Sequence, residues 1–147
     1  MDEGFRANIR TQRFFVWLTI VLGVLFAISY MGLIRFFPPP PADLPAAQVQ
    51  ELYTAHNIRF RIGTVLGLIA GGFLAPITIV ISVQMARLEK GLPLWAILQL
   101  TTGMLGTTFI WLPLLVWATA AFSADRAPEL TLLFHEFGWL TFITPLA

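Results

Sequence analysis

Cysteine is absent from this sequence. That absence removes disulfides, Cys-ligated zinc, iron–sulfur clusters and thiol catalysis together. Charge is scarce as well. Asp, Glu, Lys and Arg make up 12% of the 147 residues, about half the ~25% usual in soluble domains. With 57% of the chain hydrophobic and a mean hydropathy of +0.78, the balance argues against a water-soluble fold. Net charge is +1 and no stretch is dense in Lys or Arg, so nothing points to nucleic acid. There is no Gly-rich phosphate loop, no Ser–His–Asp set and no pair of carboxylates suited to a cleft. The signals lean away from an enzyme, and no cofactor is implied. Internal repeats are also lacking.

What the chain has instead is long uncharged stretches. Phe14–Ile34, Ile62–Ala86 and Gly91–Ala124 contain no Asp, Glu, Lys or Arg. About 20 apolar helical residues cross the ~30 Å hydrocarbon core of a bilayer. The expected fold is therefore an all-α membrane protein forming one domain over 1–147. Its transmembrane helices fall near 14–34, 62–85 and 94–122. Phe14–Ile34 is longer than the roughly 15-residue maximum of a signal-peptide core, so it reads as a retained anchor. A fourth apolar stretch over about 130–147, broken by His135 and Glu136, is too short to span. It reads as a partial or re-entrant helix, or as the start of a helix in a longer protein.

Between the first two runs, 38–61 forms a Pro-rich loop. Pro38–Pro41 cannot continue a helix and favours extended polyproline II. Ala46–His56 is expected to be a short amphipathic helix, with Val49, Leu52, Tyr53 and His56 on one face. Pro45 and Pro128 suit helix starts. Pro76 and Pro113 fall inside helices, where they free backbone carbonyls, and Pro113 is the expected kink.

The charges that exist lie between the runs. Arg6, Arg10, Arg13, Arg87 and Lys90 fall on one side, and Arg35, Arg59, Arg61 and Arg126 on the other. By the positive-inside rule the N-terminus is expected in the cytoplasm, for a multi-pass protein of a bacterial inner membrane. Trp17, Trp95, Trp117 and Trp139 near helix ends match an aromatic belt, whereas Trp111 is deeper and expected to pack inside the bundle.

Gly63, Gly67 and Gly71 repeat every fourth residue, a doubled G-x-x-x-G. Such a face lets a second helix approach backbone to backbone. The stripe continues through Leu74, Thr78, Ser82 and Met85. On the third helix, Gln99, Gly103, Gly106, Ile110, Pro113 and Trp117 form a matching stripe. The two stripes are expected to face each other or a further helix. The primary reading is a packing seam, short of one or more partner helices from this chain or another subunit. The alternative is a small-molecule or ion path with Thr78, Ser82 and Gln99 as its polar site. The uncharged runs weigh against a self-contained proton pump, which needs ionisable groups in the membrane.

His56 and His135 are the only histidines. With Glu136 they are the candidates for a metal or redox site of the two-His, one-carboxylate kind. No H-x-x-H or H-E-x-x-H spacing supports it. The plainer reading is a pair of polar residues at a helix–water boundary.

Several phrases occur together: the proline run after the first helix, Tyr53–Arg61 (YTAHNIRFR), Pro76, Ser82–Glu89 (SVQMARLE), Val116–Arg126 (VWATAAFSADR) and Gly138-Trp139-Leu140. In these the chain resembles a group of uncharacterised bacterial polytopic integral membrane proteins of actinobacterial type. The resemblance covers most of the chain and implies a longer protein with further membrane helices. It implies no activity and assigns no functional residues. The sequence thus leads to a membrane bundle or assembly component packed through the glycine seam. The alternatives are part of a small-molecule or lipid-like substrate transporter, and a membrane-bound metal or redox enzyme subunit.

Overall fold

The computed structural model describes residues 9–123 and 125–146. The leader residues Asp2, Glu3 and Arg6 lie outside them. Helix α1, Ile9–Ala27, runs directly into a π-helical segment, Ile28–Ile34. The short α2 covers Ala46–Thr54. Helix α3, Asn57–Ala70, a 3₁₀ turn, Gly71–Phe73, and α4, Leu74–Leu88, follow one another without a loop. Helix α5 covers Leu94–Phe122, α6 covers Pro128–Ile143, and a 3₁₀ turn over Thr144–Leu146 closes the described chain. Among the described residues three helical stretches are long and apolar enough to cross a membrane: Ile9–Ile34, Asn57–Leu88 and Leu94–Phe122.

Two of these stretches begin earlier than the uncharged runs. Arg10 and Arg13 lie on α1, and Arg59 and Arg61 on the first turns of α3. Nothing between 57 and 62 breaks a helix. Long basic side chains at a helix end can carry their charge out to the interface while their stems stay apolar. The third stretch ends where it does because Pro93 precedes its first turn and Ser123 leaves the helical region (φ −135°, ψ 55°).

The second stretch is tightened at Gly71–Phe73. Pro76 has no N–H to give the Gly72 carbonyl, and its ring crowds the preceding turn. A 3₁₀ turn absorbs that conflict just ahead of it. At the other end of α4 the chain turns through Gly91, which adopts φ 86°. Glu89 then caps α5: the backbone N–H groups of Trp95 and Ala96 donate to its carboxylate at 3.0 and 2.8 Å. A carboxylate there satisfies otherwise unpaired donors and opposes the positive end of the helix dipole.

Helix α5 is the spine, packing against α3, α4 and α6. Helix α1 lies on α4 and the first 3₁₀ turn, and its π segment lies on α3. Helix α2 docks on α6. Its buried face is narrower than the spacing suggested. Val49 and Tyr53 are buried, whereas Leu52 and His56 are exposed. The core is largely aromatic. Phe36, Tyr53, Phe60 and Trp117 are buried, with Phe26, Tyr30, Trp139 and Phe142 against them. Phe36 sits edge-on to Trp117 with ring centroids 4.9 Å apart.

The tryptophans divide differently from the expected belt. Trp17 and Trp95 are exposed near helix ends. Trp117 is fully buried and Trp139 half-buried, both in the aromatic core. Trp111, expected inside, is 41% exposed. The α6 helix explains the exchange. It covers the end of α5 and places Gly138 against the Trp117 ring.

Candidate functional site

The glycine seam is filled by the chain's own side chains. A Cβ at Gly63 would lie 2.8 Å from Leu33 Cβ and 3.0 Å from Ile34 Cγ1. At Gly67 it would meet Ser29 Oγ at 2.7 Å and Leu114 Cδ2 at 3.2 Å. At Gly71 it would meet Trp111 Cδ1 at 2.7 Å. So the π segment and α5 occupy this face, and Ser29 Oγ donates to the Gly63 carbonyl at 2.7 Å. Within the described residues this part of the glycine stripe is therefore covered by the chain itself. The end of the first spanning stretch (Ser29, Leu33, Ile34) and the middle of α5 (Trp111, Leu114) cover it from two sides.

The two small-residue stripes do meet. Gly103 receives Thr78, whose Oγ1 would be 2.6 Å from a Cβ there. Thr78 and Ser82 are buried, and Ser82 Oγ donates to the Thr78 carbonyl at 2.9 Å. Gln99 is half-buried one turn before Gly103. These polar groups lie against a neighbouring helix or bond to their own backbone, the ordinary way for membrane helices to satisfy hydroxyls. Gly106 differs from the other seam glycines. No atom lies within 4 Å of a Cβ built on it. It lines an open groove of about 400 Å³ with Leu74, Thr102, Leu105, Phe109 and Phe142.

His56, His135 and Glu136 are not brought together as a ligand set. Among the described residues no three His, Cys, Asp or Glu side chains are placed to hold a metal ion. Glu136 and His56 are exposed. His135 is 5% exposed and both ring nitrogens are engaged. Trp139 Nε1–H, a donor only, gives its proton to Nε2 at 3.2 Å. The neutral ring therefore carries its proton on Nδ1, which donates to Tyr53 Oη at 2.9 Å. Burial lowers the His135 pKa to about 4 and pushes the Tyr53 phenol well above 10.0. Both groups are thus neutral near pH 7. The Trp117 indole N–H reaches the His135 carbonyl at 3.4 Å.

This Tyr53–His135–Trp139 chain was not visible in the sequence. Its one local signal is the i, i+4 spacing of His135 and Trp139, which puts both on one helix face. One turn before it, Thr131 is buried and its Oγ1 has no hydrogen-bond partner among the described residues. Around the chain, Asn57 Nδ2 donates to the Tyr53 and Ala121 carbonyls at 3.0 and 2.7 Å, tying the α2–α3 corner to the end of α5. Gln50 Nε2 donates to the Arg126 carbonyl at 2.6 Å. The Arg61 guanidinium stands 3.9 Å from the Phe122 ring centroid.

Among the described residues the architecture is an all-helical bundle with three stretches able to span a membrane, closed at one end by an aromatic core. No family model, curated protein or solved structure matches this chain.

Proposed function

We propose that the protein is a multi-pass bundle component of a bacterial inner membrane, with its N-terminus in the cytoplasm, that assembles with a further transmembrane helix. The observation that carries this reading is Gly106. The other seam glycines are covered by this chain, whereas Gly106 lies open in an apolar groove. Thr102 and Gly106 on the groove wall stand one turn apart. That spacing of small residues lets a helix from a partner subunit come close enough for dispersion contacts to hold it. The distribution of Lys and Arg between the two ends of the spans supports the orientation. A transport path between the stripes would require the Thr78–Gly103 contact to part. A metal site would require His56 and Glu136 to converge on His135 and His135 to give up its bonds to Tyr53 and Trp139.

The test is Gly106→Leu. A Cβ at this position meets no described atom within 4 Å and the position opens on the groove, so helicity and Tm should hold. Assembly, read as the protein mass by light scattering in mild detergent, should weaken by about tenfold or more, equivalent to ~1.4 kcal/mol. A wild-type protein that runs as a lone monomer, with no co-migrating membrane subunit, counts against the proposal. So does assembly indifferent to Gly106→Leu.

A further inference from the structure

A second cleft, of about 610 Å³, opens between the proline loop and α2. Its size falls in the range of small-molecule and cofactor sites. Ile34, Leu44 and Leu52 give it apolar walls, and Arg35 and Arg59 bring two guanidinium groups to it. Neither arginine makes an ion pair with a described residue. Arg59 Nε is buried and has no hydrogen-bond acceptor among the described residues. A buried charged donor without an acceptor is costly unless something outside the chain supplies one.

Arg35 adds an independent observation. It holds φ 61° and ψ 40°, the left-handed conformation that closes the π segment. Glycine adopts that backbone without steric cost and arginine does not. A cation therefore occupies a position where local geometry favours glycine. Strain of this kind, at the mouth of a cleft, points to a role for the side chain.

The place of the cleft selects the ligand. Ile34 ends the first spanning stretch and Asn57 begins the second. Arg35 and Arg59 therefore flank the point where two antiparallel spans leave the apolar zone at the same end. That is the depth of lipid phosphates, and basic pockets between membrane helices are suited to them. Glu51 lines the cleft too, with Gln48 and His56. One carboxylate against two guanidiniums favours an anion of single charge over a dianion. Glu51 and Gln48 can also accept hydrogen bonds from a headgroup hydroxyl or ammonium.

We infer that this cleft binds the phosphodiester headgroup of a membrane lipid. Arg35 and Arg59 take the phosphate oxygens, the Arg59 side chain turning to bring its covered Nε–H to an acceptor, and Ile34, Leu44 and Leu52 lie along the glycerol and first acyl carbons.

The experiment uses the full chain, delipidated in a maltoside detergent. It is titrated separately with dihexanoyl-phosphatidylglycerol, dihexanoylglycerol and inorganic phosphate. Saturable binding of the phosphatidylglycerol is expected, at least about tenfold tighter than either other probe. Arg59→Gln and Arg35→Gly should each weaken it by about tenfold. Arg35→Gly suits the left-handed backbone, so an unchanged or raised Tm shows that lost binding is not lost fold. Arg87→Gln, at the opposite end of the spans, controls for loss of a positive charge. Equal binding of dihexanoylglycerol overturns the role of the phosphate. Equal or tighter binding of inorganic phosphate makes this a free-anion site and overturns the lipid. Undiminished affinity in both cleft variants, or no binding of any probe, overturns the site.

Discussion

His135 shows at the residue scale how burial sets chemistry. Its ring is enclosed by Phe36, Tyr53 and Trp139 and accepts a proton only by losing the bond from Trp139. In the unfolded chain a histidine titrates near 6.5, whereas in the fold His135 titrates at about 4. Its contribution is therefore fully present above pH ~6.5. As pH falls below that value the unfolded state takes up a proton that the native state refuses, and stability declines until about pH 4. At ~1.4 kcal/mol per pH unit the loss approaches about 3 kcal/mol. We expect Tm in detergent to fall between about pH 7 and pH 4.5, and His135→Gln to flatten that dependence. An equal slope in the variant would place the sensitivity elsewhere. The sequence did not reveal this residue's setting. A histidine beside a glutamate in an apolar run looks like a boundary residue. Partners far off in the chain, Tyr53 at 82 positions and Phe36, make it a core residue.

At the scale of elements, what was legible followed from charge and proline. The three spans are built on the uncharged runs, α6 opens on Pro128, and Pro38–Pro41 keeps the chain non-helical after Arg35 has closed the first stretch. Helix starts were less legible because arginines can ride on the outer turn of a helix, as Arg59 and Arg61 do. The glycine spacing announced close contact but not its partner. Periodicity fixes a face, while the neighbour is chosen by tertiary packing. Gly138 makes that distinction measurable. A Cβ there would lie 2.5 Å from Trp117 Cδ1 and 2.8 Å from its Cε2, and Trp117 is fully buried with nowhere to go. Gly138→Ala should lower stability by about 1–3 kcal/mol, the usual cost of overpacking. Gly32→Ala meets nothing within 4 Å and should stay within about 0.5 kcal/mol. A thermal melt of both variants reads the difference. Similar melts would mean that α6 does not sit on Trp117.

Across the whole molecule, order is concentrated at one end. The aromatic core gathers the end of the first span, α2, the start of α3, the end of α5 and α6. Helix α1 itself buries no residue, and near the opposite turn Gln84 reaches Gln12 across the α1–α4 contact. The core also joins segments far apart in the chain, and that has a consequence for biosynthesis. Tyr53 leaves the ribosome 82 residues before its partner His135. At about 5–20 residues per second this is a wait of roughly 4–16 s. During that interval the α2 segment lacks its main docking surface, because α6 has not been made. A nascent chain arrested after Phe122 should therefore expose the proline loop and α2 to added protease, and one arrested well beyond Ile143 should protect them. If both arrested chains resist equally, α2 is held by something other than α6. The same delay makes the α2 loop the last part of the bundle to become quiet, although it is among the first to be synthesised.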